Sequence, residues 1–303
     1  MRGLELSRAH WERVVAPAVA ARFPSLFPRV AAGLVGEGSE CFGFDDDLSR
    51  DHDFDPSPCL WLSGADFAGH GAELAALVAS LPPPPRSPLL TGEGSGRRGV
   101  FEAGAFYRRF LGLPRAPRSI DEWLAAPEAG LAAASNGELF AAPPGEFASA
   151  RAGLLAFYPE ELRLARLARR LHAAGQSGQY NLGRCLRRGE RVAALLAVAG
   201  FVDAAIAAAF LLARRHRPFA KWAHRALAEL PFPGPRLGSL LGELAAAPPA
   251  GAGEIVEAAS SLLAGELRAQ GLSDAGGSFL VDHARSAAAR VGDPRLRRLA
   301  GAA

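Results

Sequence analysis

The spacing of apolar residues changes near residue 146, and this change constrains the fold more than any other feature of the sequence. Before it, the spacing predicts a helix over Leu4 to Ala21 and strands over Arg29 to Val35 and Gly99 to Ala103. After it, helical periodicity continues to about residue 229 with almost no strand signal. We therefore expect an α+β chain. Residues 1–150 should form a mixed sheet with flanking helices, and residues 151–303 an all-helical bundle.

Capping residues and charge patterns place several helices. Ser63 is predicted to cap a helix that runs to about Leu81, and Ser119 with Glu122 has the spacing of a capping box. Residues 82–98 are rich in Pro, Gly and Ser and are predicted to form a loop. In the segment Glu160 to Leu171, the leucines fall on one helical face, and we expect the arginines, Arg163 among them, to lie elsewhere.

Composition and charge exclude several classes of protein. About half the residues are apolar, and the net charge of +3 comes from scattered arginines rather than a basic run, so we do not expect nucleic-acid binding. The N-terminus has no apolar signal-peptide core. The apolar run Val192 to Ala213 contains Gly200 and Asp203, and we expect a buried helix or helix pair, not a membrane span. The predicted location is therefore the cytoplasm.

The three cysteines predict neither a disulfide framework nor a structural zinc site. Cys41, Cys59 and Cys185 are odd in number and far apart, and no pair has metal-ligand spacing.

The stretch from Gly36 to Phe54 carries the residues with the clearest chemistry. If the chain is extended at Asp51 and Asp53, their side chains project from the same face, because side chains alternate along a strand. Two adjacent carboxylates repel each other unless a cation lies between them, and Mg²⁺ prefers such oxygen ligands. Asp51 and Asp53 are therefore the predicted metal ligands.

A turn suited to phosphate precedes this pair. Gly38 has no Cβ, so its backbone can approach a ligand closely, and Ser39 offers a hydroxyl group. Two other motifs are excluded. The stretch Gly33 to Ser39 lacks the lysine of a P-loop, and a calcium loop starting at Asp51 would have Pro56 in place of its glycine. The acidic run of Asp45, Asp46 and Asp47 is interpreted as a solvated turn.

These residues resemble the signature of polymerase-β-type nucleotidyltransferases, which is Gly-Ser, a nearby Gly and an Asp-x-Asp on the next strand. A bacterial domain-of-unknown-function family described as nucleotidyltransferase-like is more similar still. Its recurring strings resemble GLVGEGSECFGFDDDLSRDHDF (33–54), NGELF (136–140), QSGQYNLGRCLRRGE (176–190) and RPFAKW (217–222). Together they cover the chain from about residue 30 to 230. The layout is also similar to kanamycin-type and lincosamide-type nucleotidyltransferases, in which a helical bundle follows the catalytic domain.

The resemblance implies the substrates and the metal. A nucleoside triphosphate, usually ATP, and Mg²⁺ would bind, and a nucleoside monophosphate would pass to an acceptor. The superfamily also supplies a third carboxylate, for which Glu102 is the first choice and Glu138 the second. The sequence departs from the usual pattern at His52, where an apolar residue is common, and at Arg50, but neither change removes a metal ligand.

A polar string in the helical half is predicted to contact the nucleotide or the acceptor. Gln176, Tyr180 and Arg184 would share a face of a continuous helix, and Asn181 lies between them. The alternative is a polar helix junction, broken at Ser177-Gly178. Lys221 is placed either on a phosphate or simply on the surface, and Glu190 is offered as a general base. We expect an active-site cleft between the two halves.

Three functions remain open on the sequence alone. The first is a metal-dependent nucleotidyltransferase that transfers AMP from ATP to a hydroxyl of a small molecule. The second is a non-catalytic nucleotide-binding sensor. The third is a nucleotidyltransferase acting on a protein or a transfer RNA. A homodimer is compatible with any of them.

Overall fold

The computed structural model describes residues 2–50, 54–84, 96–248 and 251–301. Its contacts divide the chain into two compact units, Met1–Ala156 and Phe157–Ala303. The first unit contains a small sheet and helices, and the second is helical. The chain is therefore an α+β protein.

The first unit is built around a four-stranded mixed sheet. Its strands are β1 (Ala31–Leu34), β2 (Cys59–Leu62), β3 (Val100–Glu102) and β4 (Glu138–Ala141), in the order β3-β2-β1-β4. β1 pairs antiparallel with β2 and β4, while β2 pairs parallel with β3. β1 and β3 fall within the predicted strand ranges. β4 was not predicted, because it is a short, half-exposed edge strand without an alternating pattern.

The helices of the first unit are α1 (Gly3–His10), α2 (Ala16–Arg22), α3 (Gly64–Ser80), α4 (Ala103–Leu111), α5 (Ile120–Ala125), α6 (Glu128–Ser135) and α7 (Glu146–Leu155). A π-helical segment, Trp11–Val15, joins α1 to α2, and 3-10 turns lie at Phe27–Arg29, Ser39–Phe42 and Leu48–Arg50. The predicted cap of α3 is confirmed, since Ser63 Oγ accepts a hydrogen bond from the Asp66 amide at 3.1 Å.

Side-chain alternation along β2 gives the sheet two covered faces. Leu60 and Leu62 point into a core formed with the N-terminal helices and α3. Trp61 points to the opposite face, where it stacks on Phe147 of α7 at 3.9 Å and meets Phe106 of α4 edge-on at 5.3 Å. Each fully buried leucine stabilises the fold by about 1.5–3 kcal/mol, so β2 anchors helices on both faces.

The second unit consists of α8 (Glu160–Ala174), α9 (Gly183–Arg187), α10 (Arg191–Leu212), α11 (Ala220–Ala223), α12 (Gly234–Ala246), α13 (Ala252–Ala269), α14 (Leu280–Ala289) and α15 (Pro294–Leu299). A π-helical segment, Gly175–Leu182, continues from α8, and a 3-10 helix spans Arg225–Glu229. α8 packs against α10 and α14. Within the residues of this unit that the structure describes, no strand occurs.

Arg163 corrects one sequence expectation. It lies in the buried interior of the second unit with only 2 % of its side chain exposed, not on an outer face. Its guanidinium donates to the carbonyl of Leu211 at 3.1 Å and pairs with Glu160 at 2.6 Å. Carbonyls in the last turn of a helix lack intrahelical partners. The side chain of Arg163 therefore lies in the interior, where its guanidinium donates a hydrogen bond to a carbonyl in the last turn of α10.

α10 is the one helix, among the described residues, that is long and apolar enough to cross a membrane. In the apolar stretch of α10 that could span a membrane, 56 % of the residues are buried inside the protein. Every residue from Ala204 to Leu212, at the C-terminal end of the helix, is buried. At its N-terminal end, Val192, Leu195 and Leu196 are exposed. The buried half is consistent with the core helix of a soluble protein.

Candidate functional site

The chain leaves β1 through a turn that requires glycine. Gly36 has φ +123° and Gly38 has φ +116°, values that other residues rarely adopt. A Cβ on Gly38 would also lie 2.5 Å from the Glu40 carboxylate, which folds back over the turn. The half-buried Ser39 then begins a short 3-10 turn, and its hydroxyl makes no hydrogen bond to any described residue. The turn thus offers a close-approach backbone next to an available hydroxyl.

Asn136, two residues before the strand β4 that pairs with β1, holds this turn in place. Its Oδ1 accepts from the Gly36 amide at 2.9 Å, and its Nδ2 donates to the Gly36 carbonyl at 2.8 Å. The next residue, Gly137, packs directly on the carbonyl of Leu34, where any Cβ would collide. Arg151 of α7 donates to the carbonyls of both Asn136 and Gly137, at 2.7 and 3.1 Å. Two of the strings that carry the resemblance, 33–54 and 136–140, therefore contact each other.

A buried guanidinium ties the turn to the next segment of the chain. Arg98 pairs with Glu40 at 2.6 Å, with 6 % and 3 % of the two side chains exposed. Arg98 also donates to the carbonyl of Glu37 and to that of Asp55, both at 2.9 Å. Asp55 and the buried Phe54 directly follow the predicted ligand pair. Residues 51–53, and hence Asp51 and Asp53, lie outside the described residues.

The buried thiols of Cys41 and Cys59 lie close to the Arg98 guanidinium. Arg98 donates to Cys41 Sγ at 3.3 Å, and Cys59 lies at the start of β2 nearby. Burial raises the pKa of Cys41 to about 12, although the guanidinium acts in the opposite direction. Burial by itself would lower the pKa of Arg98, but the two thiols and the Glu40 carboxylate raise it above its ordinary value. Arg98 is therefore a permanent buried cation.

Asp45 corrects the interpretation of the acidic run as a solvated turn. Only 7 % of Asp45 is exposed, and its Oδ2 accepts from the Gly3 amide at 2.9 Å. Amide groups in the first turn of a helix have no intrahelical acceptor, and Asp45 supplies one for α1. Asp46 and Asp47 are exposed, as predicted.

The two proposed third carboxylates differ in how firmly they are engaged. Glu102 ends β3, opposite Leu62 of β2, and its only ion pair in the described structure, with Arg108, is long at 3.8 Å. Glu138 begins β4 and forms a short ion pair with Arg8 at 2.7 Å. No group of three His, Cys, Asp or Glu side chains suited to a metal occurs among the described residues. Glu102 is the less constrained of the two.

A cleft opens beside the glycine turn, and we call it the Gly36 cleft. It has a volume of about 400 Å³ including its open mouth. It is lined by residues that follow β1, residues around β3 and one face of α4: Val35, Gly36, Glu37, Arg97, Phe101, Ala105, Phe106, Arg109 and Phe110. The first unit thus places aromatic rings and charged groups next to the predicted phosphate-contacting turn.

The polar string of the second unit divides into two parts. Gln179 bonds to Glu257 at 2.9 Å and to the Leu280 amide at 2.8 Å, so it joins this segment to α13 and to the start of α14. The chain stays helical through Ser177-Gly178, where the alternative interpretation expected a break. Tyr180 is 48 % exposed, and Arg184 lies over its ring at 5.0 Å and donates to its hydroxyl at 3.0 Å. The intervening Asn181 is exposed.

The helix under this string differs from the expected continuous α-helix. Gly175–Leu182 is π-helical, a form that often marks functional sites. Gly178 packs so closely on Phe201 of α10 that a side chain there would collide. Outside this segment, Lys221 is exposed, with its ammonium group 5.3 Å from the ring of Trp222.

Comparison with known proteins gives one match. Residues 123–223, about a third of the chain, match the model of a family described as Domain of unknown function (DUF4037). The match includes Asn136, the π-helical segment and Lys221, but not the glycine turn. No curated protein and no solved structure matches the chain.

Proposed function

We propose that this protein is a metal-dependent nucleotidyltransferase that transfers a nucleoside monophosphate, AMP from ATP, to a hydroxyl of a small cytoplasmic molecule. The observation that carries the proposal is the double anchoring of the Gly36–Ser39 turn. Asn136 fixes the turn at Gly36, and Arg98 fixes it at Glu37 and Glu40. Because Arg98 also holds Asp55, the turn is tied to the chain that directly follows Asp51 and Asp53.

The reaction requires this kind of rigidity. The oxygen of the acceptor hydroxyl forms a bond to the α-phosphorus and gives up its proton to a general base, while the bond to the bridging oxygen breaks and pyrophosphate leaves with those electrons. The protein contributes mainly position and fixed charge, so its groups must be held in place before the substrate arrives. Mg²⁺, when bound, would neutralise the developing phosphate charge. A turn with its backbone fixed from two sides meets the positional requirement.

Each residue of the proposed site has a role. Gly38 and Ser39 contact the phosphates, and Asp51 and Asp53 hold Mg²⁺. Glu102 supplies the third carboxylate, because its ion pair is the weaker of the two alternatives.

The exposed groups of the helical unit are assigned to substrate contact. Tyr180, Asn181 and Arg184 contact the nucleotide or acceptor, supported by the exposure of Tyr180 and Asn181 on the π-helical segment and of Arg184 on α9. Lys221, which is also exposed, is assigned to a phosphate.

The test is turnover of ATP labelled at the α-phosphate, with Mg²⁺ and fractionated metabolite extract as the source of acceptor. We expect transfer of label to a small molecule and release of pyrophosphate. Asp51→Asn or Asp53→Asn should abolish both and leave the fold intact, because removing one of two repelling carboxylates does not destabilise the metal-free protein. Asp282→Asn, an exposed aspartate on α14, is the matched control and should retain full turnover.

The outcomes separate the open functions. ATP binding without turnover in any fraction would replace the enzyme with a nucleotide sensor. Labelling of protein or transfer RNA, but of no small molecule, would support the macromolecular alternative. Full turnover by both aspartate variants would refute the proposed metal ligands.

A further inference from the structure

We propose that the Gly36 cleft receives the heterocyclic base of the nucleotide, while its phosphates lie along the Gly38-Ser39 turn. This inference rests on the proposed function and adds to it a base-recognition site in the first unit. It rests on the composition of the cleft, on its charge and on its separation from Ser39.

The walls of the cleft are suited to a flat ring. Phe106 and Phe110 of α4 lie edge-to-face with centroids 5.1 Å apart, and Phe101 of β3 lies 6.3 Å from Phe106. Phe106 and Phe110 are buried and Phe101 is half-buried, so Phe101 presents the ring surface on which a base can stack, because every base has a π face. Ligand pockets are typically apolar in this way, with a few polar groups that fix orientation.

Glycine keeps one end of the cleft open. A Cβ on Gly36 would lie 3.6 Å from the ring of Phe110 and 3.9 Å from that of Phe106, and would therefore occupy space between the turn and the rings. The positive φ of Gly36 and its two bonds to Asn136 fix its position.

Charged groups at the rim provide polar recognition. Glu37 and Arg109 form a 2.6 Å ion pair in which about 40 % of each side chain is exposed, and Arg97 also lines the cleft. Exposed ion pairs are weak, with a median near 0–1 kcal/mol, so this pair can reorganise around a ligand at little cost. The Glu37 carboxylate can then accept from an exocyclic amino group, and the Arg109 guanidinium can donate to a ring nitrogen.

The separation between the cleft and the phosphate turn fits a nucleotide. Gly36 and Ser39 are three residues apart, so their Cα atoms are at most about 11 Å from each other. A base joined through ribose to a triphosphate covers that separation. One nucleotide can therefore occupy both places.

Ala105 provides a direct test, because it lines the cleft and is exposed on α4. Ala105→Leu would fill the cleft without disturbing the core. We would measure calorimetric binding of a non-hydrolysable ATP analogue with Mg²⁺, and in parallel of inorganic tripolyphosphate with Mg²⁺. Base stacking on aromatic side chains is strong enough that we expect the analogue to bind at least about tenfold more weakly. Tripolyphosphate binding should stay within about twofold of the wild type, which is less than the smallest stacking effect.

Three further variants make the result specific. Ala105→Ser keeps the cleft open and should bind the analogue normally. Ala72→Leu makes the same change at an exposed position of α3, outside the cleft, and should have no effect. Phe101→Leu removes a ring from an edge strand while retaining apolar bulk, and should weaken only the analogue. This last variant tests the inference even if Ala105→Leu fails to fold.

Each contrary outcome identifies what has failed. Unchanged analogue binding in folded Ala105→Leu and Phe101→Leu would refute the base site and leave the proposed function standing. Equal loss of analogue and tripolyphosphate would also refute it. If the wild type binds neither compound, the proposed function itself fails.

Discussion

The side chain of Asn136 forms two hydrogen bonds with the backbone of Gly36, a residue 100 positions earlier in the chain. One bond uses the amide oxygen of Asn136 as acceptor and the other uses its amide nitrogen as donor. The carboxamide supplies an acceptor for the N–H and a donor for the C=O of one residue, which lie on two successive peptide units. These two bonds link the chain just after β1 to the chain just before β4, next to the turn that we assign to phosphate binding.

We expect Asn136→Asp to destabilise the first unit by about 1–3 kcal/mol, because the carboxylate can accept from Gly36 but cannot donate to its carbonyl. Urea unfolding measures the effect. Asn181→Asp, the same change at an exposed position of the second unit, should alter stability by less than about 0.5 kcal/mol. Equal effects at the two positions would show that the Asn136 contacts contribute nothing.

Two ion pairs of equal length should contribute very differently to the free energy of unfolding. Arg98–Glu40 and Arg109–Glu37 are both 2.6 Å long, but the first is buried and the second is half-exposed. Arg98→Met leaves the Glu40 charge buried and unpaired, and we expect a loss of about 3–5 kcal/mol. Arg109→Met should lower the free energy of unfolding by no more than about 1 kcal/mol.

A double-mutant cycle isolates the coupling in the buried pair. Arg98→Met combined with Glu40→Leu removes both charges, so the double variant should be more stable than the sum of the single losses implies. Strict additivity in chemical denaturation would contradict a direct Arg98–Glu40 interaction.

Thiol labelling should distinguish the three cysteines. Cys41 and Cys59 are buried, burial raises the pKa of both thiols, and Cys185 is half-exposed. Because the thiolate is the reactive form and the pKa of Cys41 is raised to about 12, only on the order of a thousandth of Cys41 is thiolate at pH 9, and its reaction should stay slow even there. We expect iodoacetamide to modify only Cys185 in the folded protein and all three after denaturation. Labelling of native Cys185→Ser would contradict this.

Substitution of the two glutamates separates the candidates for the third carboxylate. Glu102→Gln should reduce nucleotidyl transfer on the order of a hundredfold or more, because a metal ligand contributes several kcal/mol to transition-state stabilisation. Glu138→Gln removes only the ion pair to Arg8, and its turnover should stay within about twofold of the wild type, since an exposed pair contributes little. Loss of turnover in Glu138→Gln with retention in Glu102→Gln would reverse the assignment.

The sequence by itself determined the features that depend on neighbours in the chain. The period of the apolar residues placed β1, β3 and the helices of the second half, and the hydroxyl of Ser63 placed the start of α3. The glycines after β1 indicated a turn, because a backbone with a positive φ angle favours glycine regardless of its tertiary surroundings. The Asp51 and Asp53 pair is also a sequence inference, drawn from spacing and resemblance alone.

Tertiary structure decided the features that depend on distant partners. Nothing near Arg98 in the sequence indicates that it lies buried against Glu40, and Arg163 has the same local sequence pattern as the exposed Arg169. The sequence places Asp45 in a solvated acidic run, but in the fold it is buried and accepts a hydrogen bond from the Gly3 amide. The Gly36 cleft likewise brings together residues from β3, α4 and the turn after β1. The physical reason is that burial and pairing of a charge are set by groups that approach through folding, and local sequence does not encode those distances.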